Sequence, residues 1–144
     1  MTVSGNSAIE ENGIGNSYAG VLVNSNSGLC ADATGGGSTP GTAIEQWTCN
    51  NGSNQVFVFA ADGTLHTQFS NVGTQGGSTA TGTNVVLQAY DGSASQQWSL
   101  QADGTIKNGS GLVLDVPGSS TANGTGLIIW NPNGGNNQKW IFSK

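Results

Sequence analysis
At 144 residues the chain is the size of one ordinary domain, and 24 glycines with only 8% charged residues favour turns and short strands over helices. Three lysines (Lys107, Lys139, Lys144), no arginine and eight acids leave no basic face for a phosphate backbone or an anionic bilayer, which argues against nucleic-acid and membrane partners. No apolar run approaches the ~20 residues of a membrane span, and the expected class is all-β.

In chain order, residues 1–17 lie outside the repeats and are expected to form an N-terminal arm or linker, without a charged-then-apolar targeting pattern. YAGVLV (18–23) reads as a strand. It precedes the first of three internal copies, GLCADATGGGSTPGTAIEQWTCNNGSNQVFVFAADGTL (28–65). The second copy begins near Phe69 and is clearest in GTNVVLQAYDGSASQQWSLQADGTI (82–106), and the third is GLVLDVPGSSTANGTGLIIWNPNGGNNQKWIFSK (111–144). First and third superpose at a constant shift of 83 without a gap, so Asp32 falls on Asp115, Trp47 on Trp130, Asn54 on Asn137 and Gln55 on Gln138. The repeats span approximately 18–67, 68–108 and 109–144. Each supplies about four strands of period two, and ADGT (61–64 and 102–105) between apolar runs signals a tight hairpin. The third copy ends one strand short, whereas the first has YAGVLV as a surplus. Pairing the two would close a ring and remove the free sheet edges.

Comparing the copies position by position separates core from surface. Ile44, Val85 and Leu127 are apolar in every copy and define an inward face, with Gln46, Leu87 and Ile129 two residues on. The opposite face carries Glu45, Val86 and Ile128, then Trp47, Gln88 and Trp130. Glutamine at one of these last positions shows that the core does not need an indole there, so Trp47 and Trp130 are expected outside it. Phe57, Trp98 and Trp140 share one position, are aromatic throughout, and each follows a Gln (Gln55, Gln96, Gln138) by two residues. They are assigned to the core. By the same parity Leu112, Leu114 and Val116 point inward and Asp115 outward, with Asp32 equivalent. Cys30 shares parity with Asp32, and Cys49 with Trp47, so a Cys30–Cys49 bridge would tie two strands on the face that bears them. The bridge and three sequons (Asn51-Gly-Ser, Asn108-Gly-Ser, Asn123-Gly-Thr) lean towards a secreted, extracellular protein, although sequons are common by chance in a chain of this composition.

An outward carboxylate, an outward indole and an Asn-Gln pair suit a saccharide. A carboxylate accepts two hydrogen bonds from vicinal hydroxyls, an amide both donates and accepts, and the C–H face of a pyranose lies flat on an indole. The threefold repeat, the Asp-to-Trp order, the cysteine pair and the Asn-Gln-x-aromatic close resemble the ricin B-type lectin domains and the similar family 13 carbohydrate-binding modules over residues 18–144. The resemblance implies a β-trefoil, a single carbohydrate-binding domain with pseudo-threefold symmetry. It further implies that Asp32 and Asp115 grip sugar hydroxyls, Trp47 and Trp130 stack on the ring, and Asn54 and Asn137 bond a further hydroxyl. Gln55 and Gln138 would orient the carboxylates or bond sugar directly, and Gly35 and Gly118 sit where the loop backbone approaches the ligand.

Two departures from the family pattern stand out. The residue two before the stacking ring, often Gln in these lectins, is Glu45 in the first copy and Ile128 in the third, so the two sites need not share a ligand. Glu45 can still accept from a sugar, but Ile128 cannot. The second copy has Gly73, Gln88 and Ser95 where the site would need acid, ring and amide, and is expected to be silent, with a remnant or altered site near Tyr90 as the minor alternative. Catalysis finds no tuned group: His66 reads as an ordinary strand or loop residue, and Asp32 with Glu45 as a glycosidase pair would lie on a shallow face with little to desolvate an acid. No cofactor and no metal site is expected. The reading is a non-catalytic glycan or polysaccharide binder, free lectin or accessory module of a glycoside hydrolase, with galactose-type residues ahead of xylan by analogy. The alternative is a β-trefoil protease inhibitor acting through a surface loop.

Overall fold
The computed structural model describes residues 17–144; the rest of the expected N-terminal arm lies outside the described residues. Strands fall in three equivalent sets. The first is β1 (Tyr18–Asn24), β2 (Cys30–Ala33), β3 (Ile44–Trp47) and β4 (Phe57–Phe59). The second is β5 (Leu65–His66), β6 (Asn71–Thr74), β7 (Val85–Gln88) and β8 (Trp98–Leu100). The third is β9 (Ile106–Asn108), β10 (Val113–Asp115), β11 (Thr125–Gly126) with β12 (Ile128–Trp130), and β13 (Trp140–Ser143).

The outer strands of each set join into a closed ring. Hairpins β4–β5 and β8–β9 turn through the two Ala-Asp-Gly-Thr stretches, where the aspartate side chain accepts the N–H of the threonine two residues on (3.0 Å at Thr64, 2.9 Å at Thr105). The third such pairing joins the first and last strands: β13 lies antiparallel to β1, with Leu22 opposite Phe142. This is the closure that the surplus strand predicts. Contacts β1–β4, Thr64–Gln97 and Trp140 N–H to the Gly104 carbonyl (2.8 Å) complete the ring. The inner strands form three hairpins that cap one end, knitted by Ala43–Val86, Asn84–Ile128 and Thr125–Gln46. The architecture is a β-trefoil.

The interior repeats with the sequence. Phe57, Trp98 and Trp140 are buried, as are Ile44, Val85 and Leu127, and Phe59 packs edge-on against Phe142 with ring centroids 5.6 Å apart. Leu112 packs at the margin of this core. Gln46 is the polar exception at an inward position, fully buried, where its amide donates to the carbonyls of Ser120 and Ala122 (both 3.0 Å) and accepts from the Ser27 hydroxyl (2.8 Å). It thereby ties the first repeat to a loop of the third.

Cys30 and Cys49 form the expected disulfide. Closing a loop of 19 residues restricts the unfolded chain, so replacing both cysteines by alanine should lower unfolding free energy by about 3 kcal/mol, read as a shift of the urea midpoint. The third repeat has Val113 and Pro132 at these positions and holds its hairpin without a bridge. Among the sequons, Asn108 is buried and its amide donates to the Ser95 and Gln97 carbonyls, so the folded domain has no room for a glycan there.

Candidate functional site
Each capping hairpin begins its long loop with a one-turn 3-10 segment, and the glycine at its centre takes the same left-handed conformation in all three repeats: φ 64 at Gly35, 65 at Gly76 and 65 at Gly118. That conformation is cheap only for glycine. It folds the loop back over the hairpin face, and in the first and third repeats a hollow opens beneath it.

The first hollow has a volume of about 540 Å³ and is lined by Asp32, Gly35, Glu45, Trp47, Asn54 and further loop residues. Asp32 on β2 faces Glu45 on β3 as a cross-strand pair, and Trp47 stands at the rim with 41% of its surface exposed. The third hollow is smaller, about 290 Å³, with Asp115, Gly118, Ile128, Trp130 and Asn137 in the corresponding places and Trp130 also 41% exposed. The structure therefore brings together the residues expected in each site, apart from Gln55 and Gln138, which lie behind the acids.

Both glutamines are fully buried and fully committed. Gln55 Nε2 donates to Asp32 Oδ2 (2.8 Å) and to the Thr48 carbonyl (2.9 Å), while its Oε1 accepts from Asn50 N–H (3.0 Å). Gln138 repeats the pattern with Asp115 Oδ2 (2.8 Å), the Asn131 carbonyl (2.9 Å) and Asn133 N–H (2.9 Å). Of their two expected roles, holding the carboxylate is the one that this bonding serves, since no N–H is left over. The asparagines differ between sites. Asn137 gives its amide to Asp115 Oδ2 (3.3 Å) and the Val116 carbonyl (3.0 Å), leaving its oxygen as an acceptor. Asn54 donates only to the Ala33 carbonyl (3.1 Å) and keeps a second N–H.

One expectation needs correction. Asp32, Glu45 and Asp115 have the outward parity assigned to them, yet they do not lie on an open, shallow face: Asp32 and Asp115 are each 3% exposed and Glu45 8%. Burial pushes the Asp115 carboxyl above its ordinary range, opposed by the bonds from Gln138 and Asn137. Burial also raises Glu45, as does its hydrogen bond to Asp32, while a bond from Thr34 acts in the opposite direction. The walls do desolvate an acid. They include pieces of the neighbouring repeat: a Cβ on Gly124 would lie 3.7 Å from the Trp47 ring and one on Gly82 3.4 Å from the Trp130 ring. Each indole thus rests against a hairpin tip from another repeat, and an antiparallel register of single hairpins gives no sign of it.

Also missed were Thr34, Gly36 and Asn50 in the first hollow and Pro117, Ser119 and Asn133 in the third. The constant shift of 83 pairs each of these with its counterpart and would have found them. Asn50 and Asn133 accept Gly52 and Gly135 N–H through Oδ1 (2.8 Å each) and have Nδ2 available. In the second repeat the space of the absent aspartate at Gly73 is filled, since a Cβ there would meet Gln88 and Gln96 methylenes at 3.2 Å. The hollow on that side, about 260 Å³, has neither carboxylate nor aromatic ring in its lining. Tyr90 is 61% exposed and stands outside it.

Asp32 and Glu45 are direct cross-strand neighbours in one buried wall, whereas a glycosidase pair flanks the scissile bond from two sides. His66 lies on β5, its Nδ1 bonded to the Thr67 carbonyl (2.8 Å). Among the described residues no cluster of three or more His, Cys, Asp or Glu could hold a metal, and no helix is long and apolar enough to cross a membrane.

Comparison with known proteins agrees with this geometry. A family model described as the ricin-type beta-trefoil lectin domain matches residues 18–140. Nigrin b of Sambucus nigra is 32% identical over 93 residues, which are 62% of this chain and 16% of that much longer relative. Among solved structures, the designed 3-fold symmetric protein ThreeFoil superposes with a TM-score of 0.79 at 29% identity, covering 88% of this chain and 98% of its own. The C-half of the earthworm R-type lectin, solved in complex with GalNAc, gives 0.76 at 22% identity, covering 87% of this chain and 97% of its own. These matches leave the protease-inhibitor alternative without support. A chain whose first and last strands close a threefold ring, and that matches the family over 18–140, belongs to the ricin-type β-trefoil lectin domains, a non-catalytic carbohydrate-binding family.

Proposed function
We propose that residues 18–144 form a lectin domain that binds galactose-type or related pyranose residues through two sites, the hollows of the first and third repeats. The observation that carries this reading is the recurrence, 83 residues apart, of a buried carboxylate held by a buried glutamine beside a half-exposed indole. Asp32 and Asp115 accept hydroxyl hydrogens, and the amides of Asn54 and Asn137 meet a further hydroxyl. Trp47 and Trp130 take the C–H face, and the Gly35 and Gly118 turns bring backbone close to the ring. The second repeat is silent. The earthworm lectin solved with GalNAc supports a galactose-type ligand by analogy of fold, with xylan second. The disulfide supports an extracellular setting.

Each hollow takes one or two rings, so affinity per site is modest and firm attachment needs a ligand that reaches both. A glycan array probed with Asp32→Ala, Asp115→Ala and the double variant tests the assignment. Removing a charge-assisted pair should weaken each site about tenfold to a hundredfold, and the double variant should lose binding to the array. An unaltered array profile from a folded double variant would place the site elsewhere.

A further inference from the structure
The two hollows differ in one chemical respect that the shared scaffold does not require. Facing Asp115 across the hairpin is Ile128; facing Asp32 is Glu45, a second carboxyl, and both acids are more than nine-tenths buried. The groups around Glu45 are Asp32 and the Thr34 hydroxyl from its own hairpin, with Gly124 and Gly126 from the third repeat; no base is among them. Gly126, opposite Glu45 on the adjacent strand, brings no side chain, whereas the corresponding neighbour of Ile128 is Asn84. The first hollow is also the larger, about 540 Å³ against 290 Å³.

Resting on the reading that these hollows hold sugars, we infer that the first-repeat site selects a saccharide bearing a protonated amine, a 2-amino-2-deoxyhexopyranose, with its ammonium lodged against Glu45 and Asp32. The third-repeat site takes a neutral ring. Two carboxyls in contact within a desolvated wall repel each other unless a proton or another cation joins them. Glu45 has a raised affinity for its proton, first because it is buried and then because Asp32 stands beside it. A group that binds protons more tightly when folded contributes stability that is fully present below its unfolded pKa and is lost as pH rises through the folded one. The free site therefore sets two acids side by side in a buried wall with no cation beside them. An ammonium supplies the missing positive charge and donors for both carboxylates, and a neutral hydroxyl at the same carbon supplies no charge. A compact ammonium suits this pair better than calcium, since among the described residues no third acid, histidine or cysteine joins the two.

The decisive experiment monitors the indole N–H signals of Trp47 and Trp130 separately by two-dimensional NMR of the full chain, titrated with galactosamine and with galactose at pH 6.5. Trp47 should respond to galactosamine at concentrations about tenfold or more below those of galactose, and Trp130 should show no such preference. In Glu45→Gln the ratio at Trp47 should fall towards one, and it should also fall at pH 4, where Glu45 takes up its proton. Equal responses to both sugars at Trp47, or a preference that survives in Glu45→Gln, would overturn this inference and leave the sugar-binding reading standing. If calcium chloride shifts Trp47 and abolishes the amine preference, the pair is a cation site and the inference falls. If neither sugar moves either indole, both readings fall together.

Discussion

Gln138→Leu should lower unfolding free energy by about 4 kcal/mol and silence the third hollow while leaving the first responsive to sugar. The side chain is fully buried and makes three bonds that a leucine of similar size makes none of: two donated, to Asp115 Oδ2 and the Asn131 carbonyl, and one accepted from Asn133 N–H. Loss of a bond to a charged group accounts for ~1.5–3 kcal/mol, and each buried partner left unsatisfied adds ~1–3 kcal/mol, moderated where water can reach it. Without Gln138, Asp115 keeps only the longer bond from Asn137, so a carboxyl already pushed towards protonation by burial would be pushed further. A protonated or misaligned acid no longer accepts two hydroxyl hydrogens. The second repeat supplies the control: Gln96 is equally buried, and its bonds go to the Ala89 carbonyl and the Asp91 N–H rather than to a carboxylate. Gln96→Leu should cost about 2 kcal/mol and leave sugar binding unaffected, and urea titrations of the two variants isolate the carboxylate bond. Equal losses would mean that the glutamine is a loop clamp alone.

The contrast between Gln138 and Gln96 also shows what the sequence could and could not reveal. Threefold order was legible because equivalent positions carry the same chemistry: Phe57, Trp98 and Trp140 at one, Ile44, Val85 and Leu127 at another, and all are buried. Ring closure was legible because one strand was surplus at the start and one missing at the end, and strand edges must be paired. Side-chain parity correctly put Asp32 and Asp115 on the face opposite the core. It could not say what covers that face, because the cover comes from chain distant in sequence. Gly124 of the third repeat lies against Trp47 while its neighbour Asn123 bonds Thr48, and Gly82 of the second lies against Trp130. A polar outer face thereby became a set of desolvated pockets, and the expectation that nothing there could perturb an acid failed at Glu45 and Asp115. Gln46 has the same origin: parity placed it inward, and its partners at Ser120 and Ala122 lie more than seventy residues away.

Trp140→Ala should cost a comparable amount, about 3–5 kcal/mol, but should abolish both sites together by loosening the scaffold. The ring is fully buried, fills one third of the aromatic layer, and donates Nε1 to the Leu114 carbonyl at 3.3 Å, next to Asp115. Truncation leaves a cavity that strands paired around a closed ring cannot collapse to fill, since moving β13 inward would break its register with β1. Trp140→Phe should cost far less, about 1–2 kcal/mol, because Phe57 occupies the equivalent position in the first repeat and is equally buried; the remaining loss is the Leu114 bond and the unfilled edge of the larger ring. Trp47→Ala gives the opposite profile. With 41% of its surface exposed and glutamine standing at the same position in the second repeat, its removal should change stability by less than about 1 kcal/mol yet eliminate the response of the first hollow to sugar. Urea midpoints and sugar titrations on these three variants separate the two kinds of tryptophan, and a large stability loss for Trp47→Ala would make that indole part of the core rather than of a binding surface.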